Sequence, residues 1–280
     1  MTHATTTRTI VITGASDGIG AAAARALTDA GEQVVVVGRS PDKTRAVAES
    51  IGAPWHLADF AELDQVRSLA ATLRDRYPRI DVLANNAGGI FGDRRLTRDG
   101  FELTFQVNHL AGFLLTNLLL DRLIDSRASV IQTSSVAAQR FSRFDVDDLQ
   151  GERRYTPSAA YGNAKLENIL FTKELNRRFG HDRLAAVAFH PGAIASSFAS
   201  SSGGLWHWMY TNPVANRFLT PVEVGGARLT WLALGTPGID WQRGGYYANN
   251  KPARTSAVAD DPGIAKKLWD RSAEMVGLTD

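Results

Sequence analysis

The chain has 280 residues, 44% hydrophobic and 21% charged, which is enough apolar content to bury one large core. A formal net charge of +2 with no Lys/Arg stripe excludes an electrostatic nucleic-acid binder, although the sequence pI is about 9.0. There is no cysteine, so a disulfide framework, a thiol nucleophile and a thiolate metal site are excluded, and a cytoplasmic location is expected.

The first residues, MTHATTTRT, lack the apolar core of a signal peptide. No stretch reaches the roughly 18 uninterrupted apolar residues of a membrane span, so a soluble chain is expected. Short apolar runs then alternate with helical patterns. Strands are expected at Ile10–Thr13, Gln33–Gly38, Pro54–Leu57, Val82–Asn85, Ser129–Ser134, Ala185–Phe189 and Tyr246–Ala248. This alternation predicts an α/β fold: a single doubly wound, mostly parallel sheet with helices on both faces, in one domain over 1–280. Ligands on such a sheet bind beyond the carboxyl ends of the strands, where Asn85, Ser134, Ser135 and His190 fall.

The first strand runs into TGASDGIG, where Gly14, Gly18 and Gly20 punctuate the turn into an alanine-rich helix. A backbone without Cβ turns tightly and lets a pyrophosphate reach the helix N-terminus, whose free N–H groups and dipole favour anions. The spacing is G-x-x-x-G-x-G rather than G-x-G-x-x-G, and Ser16, Asp17 and Ile19 belong to the same expected cofactor contact. The second strand ends at Gly38-Arg39-Ser40, where an acidic residue would bind the 2′-OH of NAD. The forked guanidinium of Arg39 instead suits a 2′-phosphate, and NADP (NADPH) is the expected cofactor.

Asn108 interrupts the apolar stretch Phe101–Leu120, where a polar amide is costly unless paired. A satisfied buried amide accounts for it on sequence alone. Farther on, SAAYGNAKLENILFTKEL sets Tyr161 and Lys165 at i and i+4, on one helix face. An ammonium there lowers the phenol from its ordinary pKa of about 10, giving a proton donor usable near neutral pH. The pair also fits a surface helix with an aromatic anchor; the glycine turn upstream is what favours chemistry.

Two regions depart from the compact pattern. Residues 139–156 carry both signs of charge and stretch the gap between Ser135 and Tyr161 to 26 residues, which reads as a surface insertion with its ends touching the site. Residues 196–220 begin with Ser and Gly and continue through Leu205, Trp206, Trp208, Met209 and Tyr210. They read as a substrate lid with an apolar inner face, or as a core-packing helix. The six histidines lack metal-ligand spacing, so no metal is expected, and Ser135 has no G-x-S-x-G context, which speaks against a hydrolase.

Taken together, Thr13-Gly14-x-x-x-Gly18-Ile19-Gly20, Asn85-Asn86-Ala87-Gly88, Asn108 with Ser135, and Tyr161-x-x-x-Lys165 resemble a classical short-chain dehydrogenase/reductase over essentially the whole chain. The retinol dehydrogenase-like branch is the most similar, through His190-Pro191-Gly192 and the stretch GGYYANNKPARTSAVADDPGIAKKLWDRSAEMVGL. The resemblance implies Tyr161 as general acid or base, Ser135 rather than Ser134 as donor to the substrate oxygen, and Lys165 on both Tyr161 and the nicotinamide ribose. It gives Asn108 a kink and a water leading to Lys165. It also implies an adenine contact for Asp59, for which a helix N-cap is the structural alternative. Asn86, with Ala87 and Gly88, would bridge sheet backbone and cofactor ribose. Pro191 and Gly192 would turn the chain beneath the nicotinamide, with Ile194 offering an amide and Ser196 a hydroxyl, while His190 is structural.

The implied activity is NADP-dependent interconversion of a carbonyl and an alcohol on a mainly apolar small molecule. The alternatives are reduction of an activated C=C bond and a non-catalytic NADP-binding regulator. A homo-oligomer is implied only by the family habit of pairing the helices beside the site. The N-terminal membrane anchor of some branch members is not carried over.

Overall fold

Short apolar runs, too short for helices, become strands: β1 (Thr9–Thr13), β2 (Gln33–Gly38), β3 (Trp55–Leu57), β4 (Val82–Asn85), β5 (Ser129–Thr133), β6 (Ala185–His190) and β7 (Tyr246–Ala248), of which β3 is largely exposed at the sheet edge. They pair in parallel, and a short β8 (Lys251–Pro252) adds antiparallel to β7. The computed structural model describes residues 7–182, 184–192 and 220–278. The strand order is β3-β2-β1-β4-β5-β6-β7-β8, so the winding direction reverses between β1 and β4. The carboxyl ends of those two strands therefore border a crevice.

Observed and expected strands agree to within a residue at each end. Ser134 lies just past β5, although its amide still donates to Phe189 O of β6 at 2.8 Å. β8 was not expected, since Lys251-Pro252 has neither length nor apolar alternation. It forms because Asn249 and Asn250 adopt φ of 52° and 58°, the left-handed pair that turns a tight hairpin.

Helices cover both faces: α1 (Gly18–Asp29), α2 (Pro41–Ser50), α3 (Leu63–Arg76), α4 (Leu103–Phe105), α5 (Ala111–Leu118), α6 (Leu120–Asp125), α7 (Ala137–Arg140), α8 (Pro157–Phe179), α9 (Val222–Leu234) and α10 (Pro262–Met275). Alternation along the strands splits the core. Val11, Val35, Leu83, Val130 and Ala186 pack toward α3, α5, α8 and α10. Ile10, Ile12, Val34, Val36, Ile131 and Val187 pack toward α1, α2 and α9. Between α4 and α5 lies a π turn, Gln106–Leu110, closed by Ala111 N donating to Gln106 O five residues back.

Residues 139–156 run over the surface but are clasped at several points. Leu149 enters the main core, Gln150 Oε1 accepts from Glu102 N at 3.0 Å, and Tyr155 Oη donates to Gly92 O at 3.1 Å. Asp147 pairs with Arg271 of α10. Among the described residues, no helix is long and apolar enough to cross a membrane.

Candidate active site

Helix α8 starts sharply, with Thr156 accepting from Ala159 N at 3.1 Å and Pro157 in the first turn, where no amide is missed. That start sets which face meets the carboxyl ends of β4 and β5. Tyr161 is 6% exposed and packs with Ile90, Ala137 and the half-buried Phe141. One turn on, Lys165 is 1% exposed, with Nζ 5.5 Å from the centre of the Tyr161 ring and donating to Thr133 O at 3.2 Å. Burial lowers Lys165 to about 7, because a charged ammonium loses its water there. A buried phenol beside an amine that titrates near neutrality is equipped to pass a proton.

The β4 loop closes on this pair. A Cβ at Gly88 would lie 2.5 Å from Asn108 Oδ1 and 3.1 Å from Lys165 Nζ, so only glycine permits the approach. Asn108 sits in the π turn with its side chain fully engaged: Nδ2 donates to Gly89 O and Thr104 O at 2.9 Å, and Oδ1 accepts from Gly89 N at 3.1 Å. The polar interruption in Phe101–Leu120 thus coincides with a break in α-helical geometry. Its backbone carbonyl accepts from Asn168 Nδ2 at 3.1 Å.

The two serines after β5 divide. Ser134 is buried and donates through Oγ to Lys165 O at 2.7 Å, tying the strand end to α8. Ser135 is half-buried, and its Oγ accepts from Ala137 N at 3.2 Å, which leaves the hydroxyl hydrogen available to another acceptor.

At the reversal point, Gly14 takes φ of 65°, and a Cβ there would come within 2.7 Å of Ala87 Cα. Asn86 Nδ2 donates to Thr13 O at 3.0 Å and Gly14 O at 3.3 Å, while Asn86 Oδ1 accepts from Thr133 Oγ1 at 3.2 Å. Thr13 Oγ1 completes the stitch, accepting from Asn86 N and Ala87 N at 3.0 and 3.1 Å. Gly18, Ile19 and Gly20 open α1, and the first intrahelical bond is Ala21 N to Asp17 O. Asp17 accepts from Gly18 N at 2.7 Å, so the Ile19 and Gly20 amides begin the helix without an intrahelical carbonyl. This cradle fits a pyrophosphate.

Ser16 packs under the end of β2, against Gly38. Arg39 is exposed just beyond, at a cavity of about 320 Å³ that it shares with Phe91, Arg95 and Arg98. Lys43 Nζ pairs with Asp17 Oδ2 at 2.8 Å. Asp59 does not cap a helix: α3 begins after Glu62, and Asp59 Oδ1 instead accepts from Ala61 N at 3.0 Å. The intervening Phe60-Ala61-Glu62 turn separates it from the helix start.

Beyond β6, Arg228 Nη1 donates to Pro191 O at 2.5 Å and Gly192 N donates to His190 Nδ1 at 3.3 Å. Burial, with Arg228 and Arg140 nearby, holds His190 at about 4, so it is neutral at working pH. Ile194, Ser196 and the expected lid, apart from Thr220, lie outside the described residues. Among the described residues, no group of three His, Asp or Glu could hold a metal.

The sequence reading passed over Asn168, His109, Ser272 and Lys43. Asn168 had a signal, since i, i+4 and i+7 from Tyr161 share a face. Ser272, over a hundred residues away, had none.

Comparison with known proteins agrees with this arrangement. The pattern of the short chain dehydrogenase family matches residues 8–203. The chain is 44% identical over 279 residues to a Streptomyces sp. (strain C5) protein whose name assigns it as a daunorubicin C-13 ketoreductase, covering 97% of this chain and 93% of that one. It is 35% identical to human retinol dehydrogenase 13, covering 97% and 85%. A crystal structure of an uncharacterized protein from Mycobacterium paratuberculosis superposes with a TM-score of 0.76 at 32% identity, covering 96% and 93%. The chain belongs to the short-chain dehydrogenase family, in its retinol dehydrogenase-like branch, whose members interconvert carbonyl and alcohol groups with a nicotinamide cofactor.

Proposed function

We propose that this protein reduces a ketone or aldehyde on a mainly apolar small molecule with NADPH, or oxidises the matching alcohol with NADP, using Tyr161 as general acid or base. The observation that carries the reading is the buried Lys165 ammonium 5.5 Å from the Tyr161 ring. A bound nicotinamide cofactor would supply or take up the hydride at the substrate carbon. The residues present fit such a group, because the α1 amides offer an anion cradle and Arg39 offers a guanidinium for the 2′-phosphate.

The chain's own groups then manage the proton and the substrate. Tyr161 Oη donates to the substrate oxygen during reduction and takes a proton back during oxidation. Lys165 Nζ stabilises the phenolate and holds ribose hydroxyls. Ser135 Oγ donates a hydrogen bond to the same substrate oxygen, a role that Ser134, committed to Lys165 O, is not free to fill. Asn108 shapes the helix behind Lys165, and Asn86 fixes the floor between the β1 and β4 ends. Asp59, Ala87, Gly88, Pro191, Gly192, Ile194 and Ser196 complete the proposed cofactor contacts. The relatives' names, ketoreductase and retinol dehydrogenase, favour carbonyl chemistry over C=C reduction.

The test is NADPH consumption over a panel of apolar ketones and aldehydes, with product identification. Tyr161→Phe should lose at least about 100-fold in kcat while still binding NADPH. Undiminished turnover by that variant would sink the mechanism. Tight NADPH binding without turnover on any compound would favour the regulator, and saturated products would favour C=C reduction.

A further inference from the structure

Asn168 follows Lys165 on α8 and is 3% exposed. Its Nδ2 lies 3.1 Å from Asn108 O and 3.1 Å from Thr133 O. Both are carbonyls that only accept, so the amide's NH2 end must face them and its orientation is fixed. Asn168 Oδ1 then faces His109 Nδ1 at 3.4 Å, which requires the imidazole hydrogen on Nδ1. His109 Nε2, left as acceptor, meets Ser272 Oγ of α10 at 3.1 Å. Burial holds His109 at about 4, so this single neutral tautomer persists over the working pH range.

The two carbonyls held by Asn168 both bear on the site. Thr133 O is the acceptor of Lys165 Nζ, so one oxygen is shared by the amide and the ammonium. Asn108 O belongs to the π turn whose side chain meets the Gly88 loop. We propose that Asn168 is a positioning residue for proton transfer at Tyr161: it sets where Lys165 Nζ rests and locks the π turn to β5, while His109 and Ser272 fix its own orientation. The proposal rests on the reading of Tyr161 and Lys165 as the proton-transfer pair. It also carries the C-terminal helix into the site, through a hydroxyl that no solvent reaches.

A direction for the pH dependence follows. With Asn168 removed, Thr133 O serves Lys165 alone, binds the ammonium more firmly and draws it from the tyrosine. The phenolate then forms less readily. The other ionisable groups near Asn168 are His109, which stays neutral, and Glu167 on the same helix, whose carboxyl is pushed well up by burial and by Glu102.

The experiment compares wild type, Asn168→Leu, Ser272→Ala, Ser272→Thr and Tyr161→Phe, each with a thermal melt and an NADPH titration. Asn168→Leu should lower kcat about tenfold, with KM and NADPH affinity little changed. Its rate profile for alcohol oxidation should move to higher pH, a shift that mere loosening of the core would not produce. Ser272→Ala should move both in the same direction by less, and Ser272→Thr, which restores a hydroxyl, should recover them. A folded Asn168→Leu with wild-type kcat and pH profile overturns the proposal. If that variant does not fold, an unchanged kcat and profile in Ser272→Ala overturns it. Wild-type turnover by Tyr161→Phe would instead bring down the underlying reading of the site, so the two failures are distinguishable.

Discussion

Two residues give predictions that depend on charge alone. Arg39 projects past β2 where the adenosine ribose of the cofactor would lie, and a guanidinium–phosphate bond contributes about 1.5–3 kcal/mol. Arg39→Asp should therefore raise the NADPH dissociation constant about 10-fold or more, while NADH binding changes little. Equal losses for both in a fluorescence titration would remove the phosphate role. Lys165 is the opposite case, a cation held where it is poorly solvated. Its pKa is about 7 in the folded chain against 10.5 when free, so between those values the unfolded state binds more protons and stability rises with pH. Below about pH 7 the whole cost of burying the ammonium is felt. Lys165→Met in the cofactor-free protein should consequently raise Tm at pH 6, and the gain should shrink steadily toward pH 10. A gain that does not vary with pH would contradict the buried-charge account.

Helix α8 shows how one element can carry opposing electrostatic demands. Its residues at 161, 165, 168 and 172 face the site, with Thr172 Oγ1 donating to Asn168 O at 2.7 Å. Glu167 points elsewhere and is also buried, with Oε2 lacking a hydrogen-bond partner. Burial first, and Glu102 nearby second, push its carboxyl well up. For an acid the sign is reversed. The folded state holds a proton that the unfolded chain loses above about pH 4.5, so this group costs more stability as pH rises. Glu167→Gln should raise Tm at pH 8 and leave it nearly unchanged at pH 4, as calorimetry would register. The existence of this helix and its Tyr161–Lys165 face were legible in sequence, because i and i+4 spacing is a local property. The π turn was legible only as an anomaly, a lone Asn108 in an apolar run, since the bonds that stabilise it come from Gly89 and Asn168 on other segments.

At the scale of the whole molecule, α10 closes the face of the sheet that bears the site. Trp269 stacks among Phe113, Phe171 and Phe179 at ring separations of 5.1, 5.5 and 6.0 Å, beneath the Arg178 guanidinium. Trp269→Ala should destabilise by about 3–5 kcal/mol and reduce activity through the same contacts that seat Ser272, whereas a melt shift under 1 °C would show α10 to be dispensable. Sedimentation will decide the homo-oligomer that family habit suggests, since α10 already covers part of α8 from within the chain. The strand positions, the glycine turn, the Tyr161–Lys165 pair and the choice of Arg39 over an acid were written in the sequence, because each depends on residue type and short-range spacing. The bond that commits Ser134 to Lys165 O, the turn role of Asp59, and the chain of contacts from Ser272 through His109 and Asn168 to Thr133 O were decided only by folding. Those contacts join residues up to 163 positions apart, and a hydrogen bond is chosen by distance in space, which no local pattern encodes.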